Sequence, residues 1–141
     1  MPGKYGSGSL VITFDDGPGG SPQTITPYVL TIGGIKVESI TEQSNPFGTT
    51  AEAHTPAGMQ KVGDIAIGGF YDTTATSGPH VVFKSPDVGP QDATRTFTFA
   101  PGDSKTFTME CRLVSYEVKG DNGKLTRYEA VIRQAGAGAW T

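Results

Sequence analysis

The sequence predicts a mainly β fold: an antiparallel β-sandwich or partial barrel with at most one short flanking α-helix and one long inter-strand loop. Three observations lead there. Apolar and polar residues alternate with period two in one short run after another, the pattern of half-buried strands. Glycine (20) and proline (10) punctuate those runs along the 141 residues, as turns between short strands require. Only one place carries a helix-start signal. With 35% hydrophobic residues, 9% aromatics and a net charge of only −3, the chain has the makings of a packed core and not of a disordered segment.

Taken in order, residues 1–8 read as a flexible arm. Residues 9–14 place Leu10, Ile12 and Phe14 on one face of a strand that ends in the turn cluster Asp15-Asp16-Gly17-Pro18-Gly19-Gly20. Residues 24–32 resume extended structure with Tyr28, Leu30 and Ile32 on one face, and Pro27 marks an edge or a bulge. Gly33-Gly34 turns into a strand over 35–41. Residues 42–60 show no period and contain Asn45-Pro46, Gly48, Pro56 and Gly58, so they read as a long loop, a feature usually tied to function. Residues 61–72 read as one strand with Ile65, Ile67 and Tyr71 inward and Asp64 and Ala66 outward. Ser77, Gly78 and Pro79 start the single helix, carrying His80, with Ser77 near the cap. Residues 95–99 alternate again, with Arg95, Phe97 and Phe99 in phase.

Residues 105–118 carry the strongest strand signal. Phe107, Met109, Cys111 and Leu113 alternate with polar residues, and the phase then flips to Val114, Tyr116 and Val118. Such a flip marks a bulge. Asp121-Asn122-Gly123 is a tight hairpin turn. The return strand covers 125–133 with Tyr128, Ala130 and Ile132 inward, and 135–141 reads as a Gly/Ala-rich tail ending near Trp140. The sum is about seven strands in one domain over residues 1–141.

Composition excludes several functions. Residues 1–72 hold three Lys/Arg against seven Asp/Glu, and 73–141 hold eight against seven, giving −4 and +1. A nucleic-acid binder needs a basic stripe instead. One cysteine, Cys111, permits no internal disulfide and no thiolate metal cage, and it lies on an apolar strand face without a histidine beside it. A reducing compartment and a soluble, cytoplasmically made protein are expected, with no membrane insertion. His54 and His80 are the only histidines and have no acids or cysteines at ligand spacing; His54 reads as a loop contact. Thr13-Phe14-Asp15-Asp16-Gly17-Pro18 matches the acidic motif of polysaccharide deacetylases in letters only, because no His-x-x-x-His follows. No cofactor, metal or catalytic residue is expected, and the chain is not read as an enzyme.

The ordered features resemble phage tail tube proteins of the long, non-contractile type and the tail tubes of gene transfer agents. Residues 5–16 run from a Gly-rich arm into Phe14-Asp15-Asp16, and residues 19–29 follow. Residues 47–59 begin Phe47-Gly48-Thr49 and lead into Ile65-Ala66-Ile67-Gly68-Gly69-Phe70-Tyr71-Asp72. Residues 125–136 close the chain. The family often has Asp after Phe-Gly, where this chain has Thr49. The resemblance implies a structural virion subunit, assembled in a bacterial host: six copies in a ring, rings stacked into a tube, and inner sheets joined around a channel that passes DNA without reading it. It further implies a long loop reaching the next ring, here carried by Glu42, Asn45, Pro46, Phe47, Gly48, Thr49, Glu52 and His54. Further partners implied are a tape measure protein and terminator or distal tail proteins.

Alternation adds one expectation: a sheet formed by 35–41 and 61–72 lines the channel, with Lys36, Glu38, Asp64 and Ala66 facing the lumen. A neutral or acidic wall suits passage of DNA. The rival classes are an adhesion or carbohydrate-binding β-sandwich, which needs a cluster of exposed aromatics where Tyr5, Phe47 and Trp140 lie scattered, and another tail component of the same fold.

Overall fold

The computed structural model describes residues 9–43, 47–48, 51, 53–89, 93–102 and 104–141. Among these, nine strands form: β1 Val11–Asp15, β2 Pro22–Thr24, β3 Thr31–Ile32, β4 Val37–Gln43, β5 His54–Val62, β6 Ile65–Phe70, β7 Arg95–Ala100, β8 Phe107–Lys119 and β9 Arg127–Trp140; the helix is α1 Pro79–Phe83. Seven strands make one antiparallel sheet in the order β2-β1-β7-β8-β9-β6-β3, while β4 and β5 pair only with each other. The arm, residues 1–8, lies outside the described residues.

The sheet curls into a half-barrel because residues 25–30 tie its two sides together. Ile25 donates its N–H to the Ile12 carbonyl at 2.9 Å, Ile12 donates to Thr26 Oγ1 at 2.8 Å, and Leu30 donates to the Gly68 carbonyl at 2.8 Å. Ile12 is on β1 and Gly68 on β6, each one strand in from an edge. Inside the curl the alternating faces meet as the sequence pattern requires: Ile12, Phe14, Ile65, Ile67, Phe97, Phe107, Met109, Cys111, Leu113, Tyr128, Ala130 and Ile132 are all buried. Burial of each large side chain contributes ~1.5–3 kcal/mol relative to exposure.

Helix α1 fills the open side. Five residues cannot hold a helix in isolation; packing does it. Phe83 stacks on Phe14 and Tyr128 with centroids 5.4 and 5.7 Å apart, and Val82 is buried beside it. The cap is Gly78, not Ser77, and no side chain bonds it. A Cβ at Gly78 would lie 2.5 Å from the Thr74 carbonyl oxygen, so the tight approach that launches the helix selects glycine.

Arg95 enters the core in phase with Phe97, and its guanidinium is satisfied there. It donates to Asp87 Oδ1 from Nε at 3.1 Å and Nη2 at 2.9 Å, to the Val82 carbonyl at 2.9 Å and to the Ser85 carbonyl at 2.8 Å. Its Cζ sits 5.6 Å from the Phe14 ring centroid. Asp87 Oδ2 in turn accepts the Leu113 N–H at 3.1 Å. One buried ion pair therefore fastens the segment after α1 to β8.

The expected phase flip is present: the β8–β9 register shifts between Leu113 and Ser115, and a second shift lies between Met109 and Cys111. A turn at Asp121–Gly123 is present, with Gly123 at φ +80° and the Lys124 N–H bonded to the Asp121 carbonyl at 3.1 Å, but it is not the tight hairpin expected: Lys119 pairs opposite Arg127, and the return strand starts at Arg127 instead of 125. Five other readings of the sequence are corrected. The extended run 24–32 is broken by a 3-10 turn at Thr26–Tyr28, because Pro27 favours a turn and Ile25 turns fully inward. The strand expected at 35–41 begins two residues later. The long loop 42–60 is strand at both ends: β4 runs to Gln43 and β5 starts at His54. The single strand 61–72 is the end of β5 and the whole of β6, separated by a corner at Gly63-Asp64. The tail 135–141 is the second half of β9, paired with β8 as far as Trp140 opposite Phe107.

Candidate assembly surface

The β4–β5 hairpin is the feature that stands apart. From Val37 to Lys61 its described residues are exposed apart from Ile40, which is half-buried, and Val62 at its root is buried. It meets the body at two points of chain, 34–36 and 63–64, where Gly63 donates to the Lys36 carbonyl at 3.2 Å. Beside β9 the usual ladder is replaced by two glutamine side chains. The Gln60 amide binds Gly138 twice, accepting its N–H at 3.0 Å and donating to its carbonyl at 2.7 Å, while Gln134 Oε1 accepts the Val62 N–H at 2.9 Å.

The loop-contact residues fall on this hairpin. Glu42 pairs opposite Thr55 and Gln43 opposite His54, so His54 lies on strand β5 and not in a loop. Phe47 lies in the connection and is fully exposed, at 109% of its reference area, and Gly48 takes φ +90°, where glycine is favoured. Asn45, Pro46, Thr49 and Glu52 lie outside the described residues.

The residues expected to share one lumen-lining sheet do not. Lys36 precedes β4 and Glu38 is on it, whereas Asp64 is at the corner and Ala66 is on β6 of the large sheet. They are nevertheless neighbours in charge. Lys36 Nζ contacts Glu38 Oε1 at 2.7 Å, Glu38 lies opposite Lys61, and Arg133 grips Asp64 with Nη2 at 2.9 Å and Nε at 3.0 Å. The hydrogen bond from Lys36 holds the Glu38 carboxyl below its usual range, and that from Arg133 does the same for Asp64. Ala66 is half-buried on the face of the sheet away from the core.

The side chains weighed for chemistry have structural surroundings. Cys111 is fully buried and its thiol is pushed up to about 12, chiefly by burial, which leaves no thiolate to react. Asp15, at the end of β1, accepts the Thr96 N–H of β7 at 2.9 Å, and Asp16 accepts the Ser21 N–H at 3.0 Å, so of the deacetylase-like acids one bonds the neighbouring strand and the other closes a turn. His80 lies 3.3 Å from the Tyr116 hydroxyl and edge-on to Tyr71. No cluster of three or more His, Cys, Asp or Glu that could hold a metal occurs among the described residues. Sequence reading missed Gln60 and Gln134, for which no pattern exists. It also missed Asp87, although an arginine in phase with two core phenylalanines signals a buried acid partner.

No protein-family model and no curated protein matches the sequence. Solved structures do match. The tail of an empty gene transfer agent particle with C6 symmetry aligns with TM-score 0.71 at 15% identity, over 98% of this chain and 99% of that one. The baseplate of the anti-feeding prophage aligns with TM-score 0.69 at 12% identity over 100% and 97%. The sheath/tube terminator of an extracellular contractile injection system, PVC, aligns with TM-score 0.70 at 8% identity over 100% and 99%. Across its whole length the chain has the tail-tube fold.

Proposed function

We propose that this chain is the tube subunit of a phage-like tail, built as six-membered rings stacked around a channel through which DNA is ejected. The reading is supported most by one observation: end-to-end likeness to a tail built with C6 symmetry, in which neither chain has a large unmatched part. The physics agrees. A head-to-tail contact closes into a ring when its rotation closes, and the open edges of β4 and β5 are groups that pairing with another chain satisfies. The hairpin, with Glu42, Asn45, Pro46, Phe47, Gly48, Thr49, Glu52 and His54, is the contact to the next ring. Lys36, Glu38, Asp64 and Ala66 face the lumen. The subunit acts without catalysis; a tape measure protein inside the tube, and terminator or distal tail proteins at its ends, are its other partners in the virion.

Electron microscopy of the purified protein tests this. Hexameric rings and tubes are expected, and a protein that remains monomeric at high concentration refutes it. A second reading, a terminator or baseplate ring of the same fold, is favoured by the equal likeness to those assemblies. It predicts rings that never stack.

A further inference from the structure

The chain has two asparagines, Asn45 and Asn122. Asn45 precedes Pro46, whose nitrogen carries no hydrogen. Asn122 precedes Gly123 in the connection between β8 and β9, where every residue from 117 to 127 is exposed.

The turn there leaves two reactive groups side by side and free. Lys124 donates its N–H to the Asp121 carbonyl at 3.1 Å, and Gly123 takes φ +80° while Asn122 keeps a negative φ. This is the pattern of a type II turn with Asn122 and Gly123 as its central residues. Among the described residues, neither the Gly123 N–H nor the Asn122 side-chain amide has a hydrogen-bond partner. A Cβ built on Gly123 meets nothing within 4 Å, so the space about the glycine is open. The connection is otherwise tied only at its ends, by the Lys119–Arg127 pair and by the Tyr71 N–H on the Thr126 carbonyl at 2.9 Å. The comparable pair Asp16-Gly17 is closed by contrast: Asp16 Oδ1 accepts the Ser21 N–H at 3.0 Å, and a carboxylate is a poorer electrophile than an amide.

We infer that Asn122 is a self-modifying site, which deamidates in the folded protein. Hydroxide takes the Gly123 N–H proton, and the nitrogen attacks Asn122 Cγ. The new N–Cγ bond closes a five-membered succinimide, the Cγ–Nδ2 bond breaks, and Nδ2 leaves as ammonia. Water then adds to either ring carbonyl and opens the ring to aspartate or isoaspartate. Water is the only reagent consumed and ammonia the only product released. One carboxylate replaces one neutral amide, so the net charge moves from −3 to −4. In isoaspartate the main chain runs through the side-chain carbon, which lengthens the turn and undoes the geometry of the Lys124–Asp121 bond. Labile asparagine is a thermal liability, and here it is confined to one exposed turn outside the core. The inference does not rest on the tube reading.

The test incubates the full native chain at pH 7 and at pH 8, beside the same chain unfolded in urea, and follows residue 122 by peptide mass mapping and ion exchange. Expected are an acidic species that has lost ammonia and gained water at Asn122, isoaspartate detected there by enzymatic methylation, and faster formation at pH 8 in the ratio of the hydroxide concentrations. The native chain is expected to react at a rate comparable with the unfolded one. Asn122→Gln, at an exposed position without a partner, is expected to keep the melting temperature and abolish the acidic species. A native chain that keeps Asn122 intact while the unfolded chain loses it, or an acidic species that persists in Asn122→Gln, overturns the inference.

Discussion

Replacing Asp87 by alanine tests the account of the buried ion pair most directly. The substitution leaves the Arg95 guanidinium, 1% exposed in its side chain, without its counter-charge, and leaves the Leu113 N–H without its acceptor. Removing one partner of a buried pair typically costs ~3–5 kcal/mol, against a total stability of about 7–20 kcal/mol for a chain of this length. With a urea m-value of ~2 kcal/mol per M, the midpoint of unfolding falls by about 2 M. Urea titration by circular dichroism under non-assembling conditions measures it. The double substitution Arg95→Met with Asp87→Leu sharpens the test. Apolar replacement of both members of a buried pair is often neutral or stabilising. Here the Val82 and Ser85 carbonyls and the Leu113 N–H also lose partners, at ~1 kcal/mol or more each. The double variant is therefore expected to stay ~3 kcal/mol below wild type. A single variant within ~0.5 kcal/mol of wild type, or a double variant as stable as wild type, refutes the view that this pair fastens the segment after α1 to β8.

Three further outcomes are expected. Cys111, with a thiol near 12, is about 10⁻⁴ thiolate at pH 8 and unreactive toward a disulfide reagent until urea exposes it at an ordinary value of ~8.5; stoichiometric labelling of the native protein within minutes contradicts the burial. Burial raises the Asp15 carboxyl above 3.8, against the lowering effect of the Thr96 N–H bond, so the folded state binds this proton more tightly than the unfolded state does. Ionisation then costs stability, and the cost grows as pH rises from the unfolded value through the folded one. Asp15→Asn, which keeps an acceptor for Thr96, is expected to be at least as stable at pH 7 and to lose that advantage near pH ~3; a variant less stable at pH 7 than at pH 3, relative to wild type, reverses the sign. Glu38→Lys with Asp64→Lys is expected to permit assembly and slow DNA ejection, and a tube structure with both side chains on its outer wall defeats the lumen placement.

The fold was legible wherever one face of a strand is buried. Phe107, Met109, Cys111 and Leu113 betray β8, the phase change after Leu113 marks a real bulge, and Asn122-Gly123 marks the turn. The hairpin was illegible for the converse reason: β5 exposes all but its last residue, so nothing imposes alternation on His54–Val62, and Pro56 and Gly58 imitate a loop. The end of β9 was hidden differently. Its small residues leave room for neighbouring rings, as at Gly138, where a Cβ would lie 2.7 Å from Phe107 Cζ. A composition that reads as a loose tail is therefore a packing requirement. The lumen set was drawn from alternation along one strand, but its members span two sheets, because the corner at Gly63-Asp64 separates elements that a single-strand reading joins.

The glutamine clasp gives the molecule two tiers of stability. β8 and β9 share a long backbone ladder over a buried face, so their amides are released to solvent only when the whole core opens. The hairpin is held to β9 by the Gln60 and Gln134 side chains and buries little but Val62. Regions with few buried contacts open locally at a fraction of the global free energy. Amide hydrogen exchange along β4 and β5 is thereby decoupled from that of the body. The strands of the hairpin thus exchange by local opening while the half-barrel beneath them stays folded.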